Sequence, residues 1–267
     1  MKHLAIKSLS TNKQVEYTTP GLGDRIHTAL FAYNYSIQHN APVTIHLTDG
    51  KWSIAKGVPS EVKKESWREI LDLLPKDSVY VQPHPVSDIS EVNWIKYLNN
   101  KGIDAIAYKY EDTNHRYDTV PGLNQIDISE YLKAYPCVQP KVNINLPQKF
   151  VTAQFDSNNV PYWKDNLADS RKIPAFEVDK IINQYKSIGY DIVFVGGDGE
   201  ERFNGPGKLK NVVAAMSKAD YHLGTDSGFS HLAHLCMKPN QIKLYTRGAN
   251  SHHVVRARNN GVQVINI

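Results

Sequence analysis

The chain has 267 residues, enough to bury a substantial core in one large domain or two modest ones. With 41% hydrophobic and 22% charged residues and no low-complexity tract, it has the composition of a globular protein. A net charge of +4 without any Lys/Arg-rich block argues against a nucleic-acid binder and suits small anionic ligands.

In chain order, "MKHLAIKSLSTNK" lacks the apolar core of a signal peptide, and "QVEYTT" reads as the first strand. "RIHTALFAYNYSIQHN" follows as a helix and "PVTIHLT" as the next strand. "SWREILDLL" is a helix with Ser66 available as its cap. "SVYVQPH" and "DAIAYKY" are further strands, separated by the helical "SEVNWIKYLNNKG". Three prolines in "YPCVQPKVNINLPQKF" then mark a linker, which places a domain boundary between 1–145 and 146–267.

The alternation restarts after the linker. "KFVTAQFD" is a strand, "PAFEVDKIINQYKSIG" a helix with proline near its start, and "YDIVFVGG" a buried strand. "LKNVVAAMSKA" is a helix, "DYHLGT" a strand, "SGFSHLAHLC" a helix and "QIKLYT" a strand, and the tail ends in a last strand. Strands alternating with helices predict an α/β fold of two halves with mostly parallel sheets and a cleft between them. Ligands of such sheets sit beyond the carboxyl ends of the strands.

Two helix mouths carry the chemistry. In "DYHLGTDSGFSHLAHLC", Asp226, Ser227 and Gly228 open a helix that bears His231. Unpaired N–H groups and the helix dipole favour an anion there, and Gly228 permits close approach. Ser227 and His231, four apart, share a helix face and can reach one phosphate. The plainer alternative is that Asp226 or Ser227 caps the helix and His231 is a buried, hydrogen-bonded residue.

In "TTPGLGDRIHTALF", a strand runs into Gly21-Leu22-Gly23-Asp24, and the helix then carries Arg25, His27 and Thr28. A carboxylate at the carboxyl end of a strand can act as general base on a hydroxyl, although an aspartate in that place is also an ordinary N-cap. The loop is neither a Walker A loop nor GxGxxG.

Two further segments are less specific. In "VFVGGDGEERFNG", Gly196 and Gly197 end a strand, and Glu200 or Glu201 can accept hydrogen bonds from a ribose or base; the alternative is a solvated turn. In "DSRKIPAF", Arg171 and Lys172 precede a proline-started helix and can pair with a diphosphate, or simply face solvent. Cys137 and Cys236 form neither a metal-ligand spacing nor a disulfide framework, which favours a reducing compartment. The histidines His222, His231, His234, His252 and His253 have no metal-ligand spacing, so no metal is expected. No stretch approaches the length of a membrane span, and a soluble cytoplasmic protein is expected.

In this order the segments resemble the lipopolysaccharide heptosyltransferase family of GT-B glycosyltransferases. The family's Gly-Asp-x-x-His-Thr signature stands here as Gly23-Asp24-Arg25-Ile26-His27-Thr28. Its Asp-Ser/Thr-Gly-x-x-His-Leu signature stands as Asp226-Ser227-Gly228-Phe229-Ser230-His231-Leu232. Its Gly-Gly turn with acidic residues is similar to Gly196 through Glu201, and its basic residue before a helix-starting proline is matched by Arg171 ahead of Pro174.

The resemblance implies two Rossmann-like domains, 1–145 for the acceptor and 146–267 for a nucleoside-diphosphate sugar donor. It implies that the Ser227 and Gly228 amides and His231 hold the diphosphate, with Asp226 near the donor sugar. Asp24 would then deprotonate an acceptor hydroxyl, with inversion at the anomeric carbon. It further implies no metal or cofactor beyond the co-substrate, and a hexosyl- or heptosyltransferase acting on a glycan, lipid-linked or small-molecule acceptor. The donor's base and sugar and the acceptor stay open. So do two other functions on the same fold: a non-catalytic nucleotide-sugar binding protein, and a sugar-nucleotide epimerase or hydrolase.

Overall fold

The computed structural model describes residues 2–6, 22–48, 69–74, 79–84, 100, 106–108, 141–155, 173–196, 199, 201–203, 208–248 and 252–267. By its internal contacts the chain divides into two units, Met1–Ala134 and Tyr135–Ile267, the division falling at the start of the three-proline segment.

The first unit contains β1 (Lys2–Ile6), α1 (Leu22–Gln38), β2 (Val43–Thr48), β3 (Val79–His84) and β4 (Ile106–Tyr108). Its four strands are ordered β3-β2-β1-β4, and each described pairing is parallel. Two expectations change here. The strand that opens the sheet is β1, a short alternating segment; "QVEYTT" lies outside the described residues. The helix begins at Leu22, so Gly23 and Asp24 are its second and third residues rather than the end of a strand. First-turn N–H groups have no intrahelical partner anyway, and the dipole favours an acidic residue there, so this Gly-Asp pair is compatible with a helix start. Along α1, Ile26, Ala29, Leu30 and Tyr35 are buried at helical spacing. From "SWREILDLL", residues 69–71 are helical and Ile70, Leu73 and Leu74 are buried, while Ser66 lies outside the described residues.

The second unit contains β5 (Phe150–Gln154), α2 (Ala175–Ser187), β6 (Asp191–Phe194), α3 (Leu209–Lys218), β7 (Tyr221–Gly224), α4 (Gly228–Ala233), β8 (Ile242–Thr246), α5 (His252–Asn259) and β9 (Gln263–Asn266). Its sheet runs β6-β5-β7-β8-β9, all parallel. The tail ends in a strand, β9, as expected, and the helix α5 ahead of it was not anticipated. Its buried residues, Val254 and Ala257, stand three apart on one face, a spacing too brief to register as a period.

β5 is buried at every position, as a central parallel strand must be when helices cover both faces. Around it Val151, Ala153, Phe155, Ile173, Ile181, Tyr185, Leu223 and Tyr245 form one apolar cluster. Each such aliphatic or aromatic side chain contributes roughly 1.5–3 kcal/mol by leaving water. α2 supplies Ile181 and Tyr185, four apart, and shows its other face to solvent. α3 differs: Val212 to Met216 are buried in succession, so the middle of this helix is enclosed on all sides.

The α2–β6 connection shows how the amino ends of the strands are held. Lys149, just before β5, donates from Nζ to the Ile188 carbonyl at 2.8 Å and lies 4.3 Å from the Tyr190 ring centroid. It thus covers an orphan carbonyl at the negative end of α2. Tyr185, Tyr190 and Tyr221 pack edge to face beside it, and Lys243 stands 4.6 Å from the Tyr221 centroid. This cluster lies at the end of the sheet away from Gln154, the last residue of β5.

Candidate functional site

The strand order of the second unit determines where a ligand is expected. From β5 the chain crosses to β6 on one side, then returns past β5 to β7 on the other. Helices on either side of such a reversal leave a crevice beyond the carboxyl ends of the two inner strands, here β5 and β7. Those ends are Gln154 and Gly224, and Thr225, Asp226, Ser227 and Gly228 follow directly. The motif singled out in the sequence therefore stands at the topological switch point.

Its local geometry is set by hydrogen bonds. The Thr225 N–H donates to the Gln154 carbonyl at 3.3 Å, extending the β5–β7 pairing by one step. Ser230 Oγ donates to the Thr225 carbonyl at 2.6 Å and so ties α4 back to the turn. Ser227 occupies the N-cap position with extended backbone, φ −147° and ψ 168°, yet its side chain makes no capping bond. Its hydroxyl donates instead to Gln154 Oε1 at 2.6 Å. The plain capping alternative thus holds for the position of Ser227 but not for its hydroxyl. Asp226 is buried. The His231 N–H donates to the Ser227 carbonyl at 3.3 Å, which confirms the one-turn spacing of these two residues, and His231 is half-buried.

The glycine turn after β6 meets the same place. Gly196 has φ +90°, a conformation that side chains other than glycine rarely adopt. A Cβ built on it would lie 3.2 Å from Gln154 Cγ and 3.1 Å from the Phe229 ring. The Gly199 N–H closes a tight turn on the Gly196 carbonyl at 2.8 Å. Gln154 and Phe229 therefore join the Gly196 turn to the mouth of α4. Sequence reading singled out neither residue. Gln154 gave no signal, because it looks like any strand end until the sheet order makes its strand central.

Beneath α4 lies a second polar group. His222 is fully buried on β7, its Nδ1 3.1 Å from Thr152 Oγ1, and Nε2 has no hydrogen-bond partner among the described residues. Burial alone holds its pKa down to about 3, so the ring is neutral. Gly224 accommodates this ring: a Cβ there would come within 2.8 Å of both His222 Nε2 and Ser230 Oγ.

The remaining expected site residues are placed less completely. Gly197, Glu200, Arg171 and Lys172 lie outside the described residues. Glu201 opens a short 3₁₀ turn, Glu201–Phe203, in which Phe203 is buried and the Arg202 guanidinium donates to the Asn145 carbonyl at 2.6 Å. Gly23, Asp24, His27 and Thr28 lie in the first two turns of α1, and the side chains of Asp24, His27 and Thr28 are outside the description. Among the described residues no three His, Cys, Asp or Glu side chains are grouped to hold a metal ion. Nor is any described helix long and apolar enough to cross a membrane.

No protein-family model matches the chain, and no curated protein matches it. Solved structures do. A family 9 glycosyl transferase from Veillonella parvula DSM 2008 aligns with a TM-score of 0.53 at 13% identity, over 100% of this chain and 86% of that one. The ADP-heptose LPS heptosyltransferase II of E. coli aligns at 0.51 and 14% identity, over 99% and 90%. The iron-containing dodecameric glycosyltransferase TibC from enterotoxigenic E. coli H10407 aligns at 0.50 and 14% identity. That match takes in 92% of this chain but 58% of TibC, so the chain spans little more than half the length of that enzyme. At these identities the likeness is one of fold: this chain is built as those glycosyltransferases are.

Proposed function

We propose that the chain is a glycosyltransferase that moves a sugar from a nucleoside-diphosphate sugar to a hydroxyl acceptor. One observation carries this reading: Asp226, Ser227 and Gly228 follow the end of β7 at the switch point of a 2-1-3-4-5 parallel sheet, where ligands of such sheets bind. The fold shared with solved glycosyltransferases and the order of the motifs support it.

In this reading the donor diphosphate lies against the Ser227 and Gly228 amides and His231, with Asp226 near the sugar. Arg171 and Lys172 pair with the phosphates, and Gly197, Glu200 and Glu201 face the ribose or base. Gly23, His27 and Thr28 flank the acceptor. The Asp24 carboxylate takes the proton of the acceptor hydroxyl, whose oxygen attacks the anomeric carbon. The bond from that carbon to the diphosphate oxygen breaks, configuration inverts, and the nucleoside diphosphate leaves with its charge stabilised by backbone dipoles and basic side chains rather than by a metal.

The test is calorimetric titration of the purified protein with ADP, GDP, UDP and CDP in EDTA, beside a Ser227→Ala, His231→Ala double variant. ADP is the first candidate, by likeness to the E. coli enzyme that uses ADP-heptose. The reading expects one nucleotide to bind, the double variant to lose it, and EDTA to leave the affinity unchanged. Failure of all four to bind, or equal binding by the variant, removes the donor site.

A further inference from the structure

We propose that Gln154 is the positioning residue of the donor-phosphate site, fixing where the Asp226–Gly228 turn stands, a role that rests on the donor-site reading above. Gln154 ends β5, the strand between β6 and β7, so it borders both the turn after β6 and the turn after β7. Three contacts follow from that place. Its carbonyl accepts the Thr225 N–H at 3.3 Å, its Oε1 accepts the Ser227 hydroxyl at 2.6 Å, and its Cγ backs the Gly196 turn. The buried side chain, together with the Phe229 ring, thus stands between the two loops.

The bond to Ser227 has a chemical consequence. A serine at an N-cap ordinarily turns its oxygen onto a first-turn amide, and such a cap is worth about 1 kcal/mol. Capping would use the oxygen's lone pairs, not its proton, so the bond that Ser227 donates to Gln154 acts by orientation: the hydroxyl points to Gln154 and makes no capping bond. Gln154 therefore holds the serine side chain away from the amides that the diphosphate is to meet. Glutamate has the same shape and would accept the same proton, but it would set a negative charge beside the phosphates. The neutral amide does the positioning without that repulsion.

Four variants test this: Gln154→Leu, Gln154→Glu, Ser227→Ala, and Gln154→Leu combined with Ser227→Ala. Each is titrated with the nucleoside diphosphate that binds wild type best and with the matching nucleoside, and its thermal midpoint is recorded. Gln154→Leu is expected to weaken the diphosphate about tenfold and the nucleoside little. In the Ser227→Ala background the same change is expected to do far less, because Gln154 acts through Ser227. Gln154→Glu, which keeps the acceptor but buries a charge, is expected to lower the midpoint and to weaken the diphosphate at least about tenfold, more than it weakens the nucleoside.

Wild-type affinity in both Gln154 variants overturns the proposal. So does an equal effect of Gln154→Leu with and without Ser227, or an equal loss of nucleoside and diphosphate. If wild type itself binds no nucleoside diphosphate, the donor-site reading fails and the role of Gln154 fails with it. If wild type binds and the variants match it, only the role of Gln154 falls.

Discussion

Phe229, the second residue of α4, sets its ring where a side chain on Gly196 would stand: a Cβ there lies 3.1 Å from Cε2 and 3.2 Å from Cζ. The two residues belong to connections that follow different strands, so the contact joins the β6 turn to the β7–α4 mouth. Gly196→Ala meets two penalties, the positive φ and the crowding by Phe229 and Gln154. A loss of about 1–3 kcal/mol in stability is expected, read by urea unfolding. Nucleotide affinity should fall with it, since the ring and Gln154 must give way together.

His222 gives a pH signature. Its folded pKa is held down to about 3, whereas in the unfolded chain it protonates near the ordinary value of 6.5. Between those values the unfolded chain binds a proton that the folded one does not, so this residue's penalty is absent above pH 6.5 and grows as pH falls toward 3. His222→Leu removes that penalty at the expense of the Thr152 contact. Urea unfolding at pH 7, 6, 5 and 4 should show the variant gaining on wild type at each step down. A constant difference across the series would mean that the ring is not held neutral by burial.

Lys149→Met tests the other end of the same strand. It removes the hydrogen bond to the Ile188 carbonyl and the cation over Tyr190. Both are exposed interactions, so the expected loss is about 1 kcal/mol, seen as a lower thermal midpoint. Nucleotide affinity should be unchanged, because the proposed donor site lies beyond the carboxyl end of β5. A parallel loss of affinity would contradict that separation.

Asp24→Asn separates catalysis from binding. In its proposed role as general base, Asp24 should be needed for turnover but not for holding the donor. The expected outcome is a fall of roughly 10²–10⁴ in kcat with nucleoside-diphosphate affinity within about twofold of wild type. Unchanged turnover would place the base elsewhere. Removing a charge from the first turn of α1 should lower stability by only about 0.3–1 kcal/mol.

Much of the second unit was legible in the sequence, because short apolar strand runs alternate with longer helical stretches, and β6 and β7 run into glycines. "YDIVFVGG" and "DYHLGT" became β6 and β7 for that reason. The start of α1 was not legible: Gly21-Leu22-Gly23-Asp24 has the chemistry of a turn, and its glycines hide a helix that begins at Leu22. Gln154 was hidden for a related reason. Its importance comes from the order β6-β5-β7, which is fixed by contacts far apart in the chain and leaves no local pattern. His222 looked like one member of a histidine cluster, and nothing local in the sequence shows that its ring is fully buried near Ser230 of α4.

The crossover that builds the switch point also governs how the unit is made. Thr152 and His222 meet across 70 residues, and Gln154 and Ser227 across 73. Closing so long a loop is entropically unfavourable before any of its contacts form, and parallel pairings of this kind are slow. Local structures such as α2 and α3 can form early, while the β5–β7 seam must wait. The β5–β7 seam, whose carboxyl end bears the proposed donor site, would then be the last pairing of the unit to form, and a nucleotide bound there would stabilise the finished state without hastening its assembly.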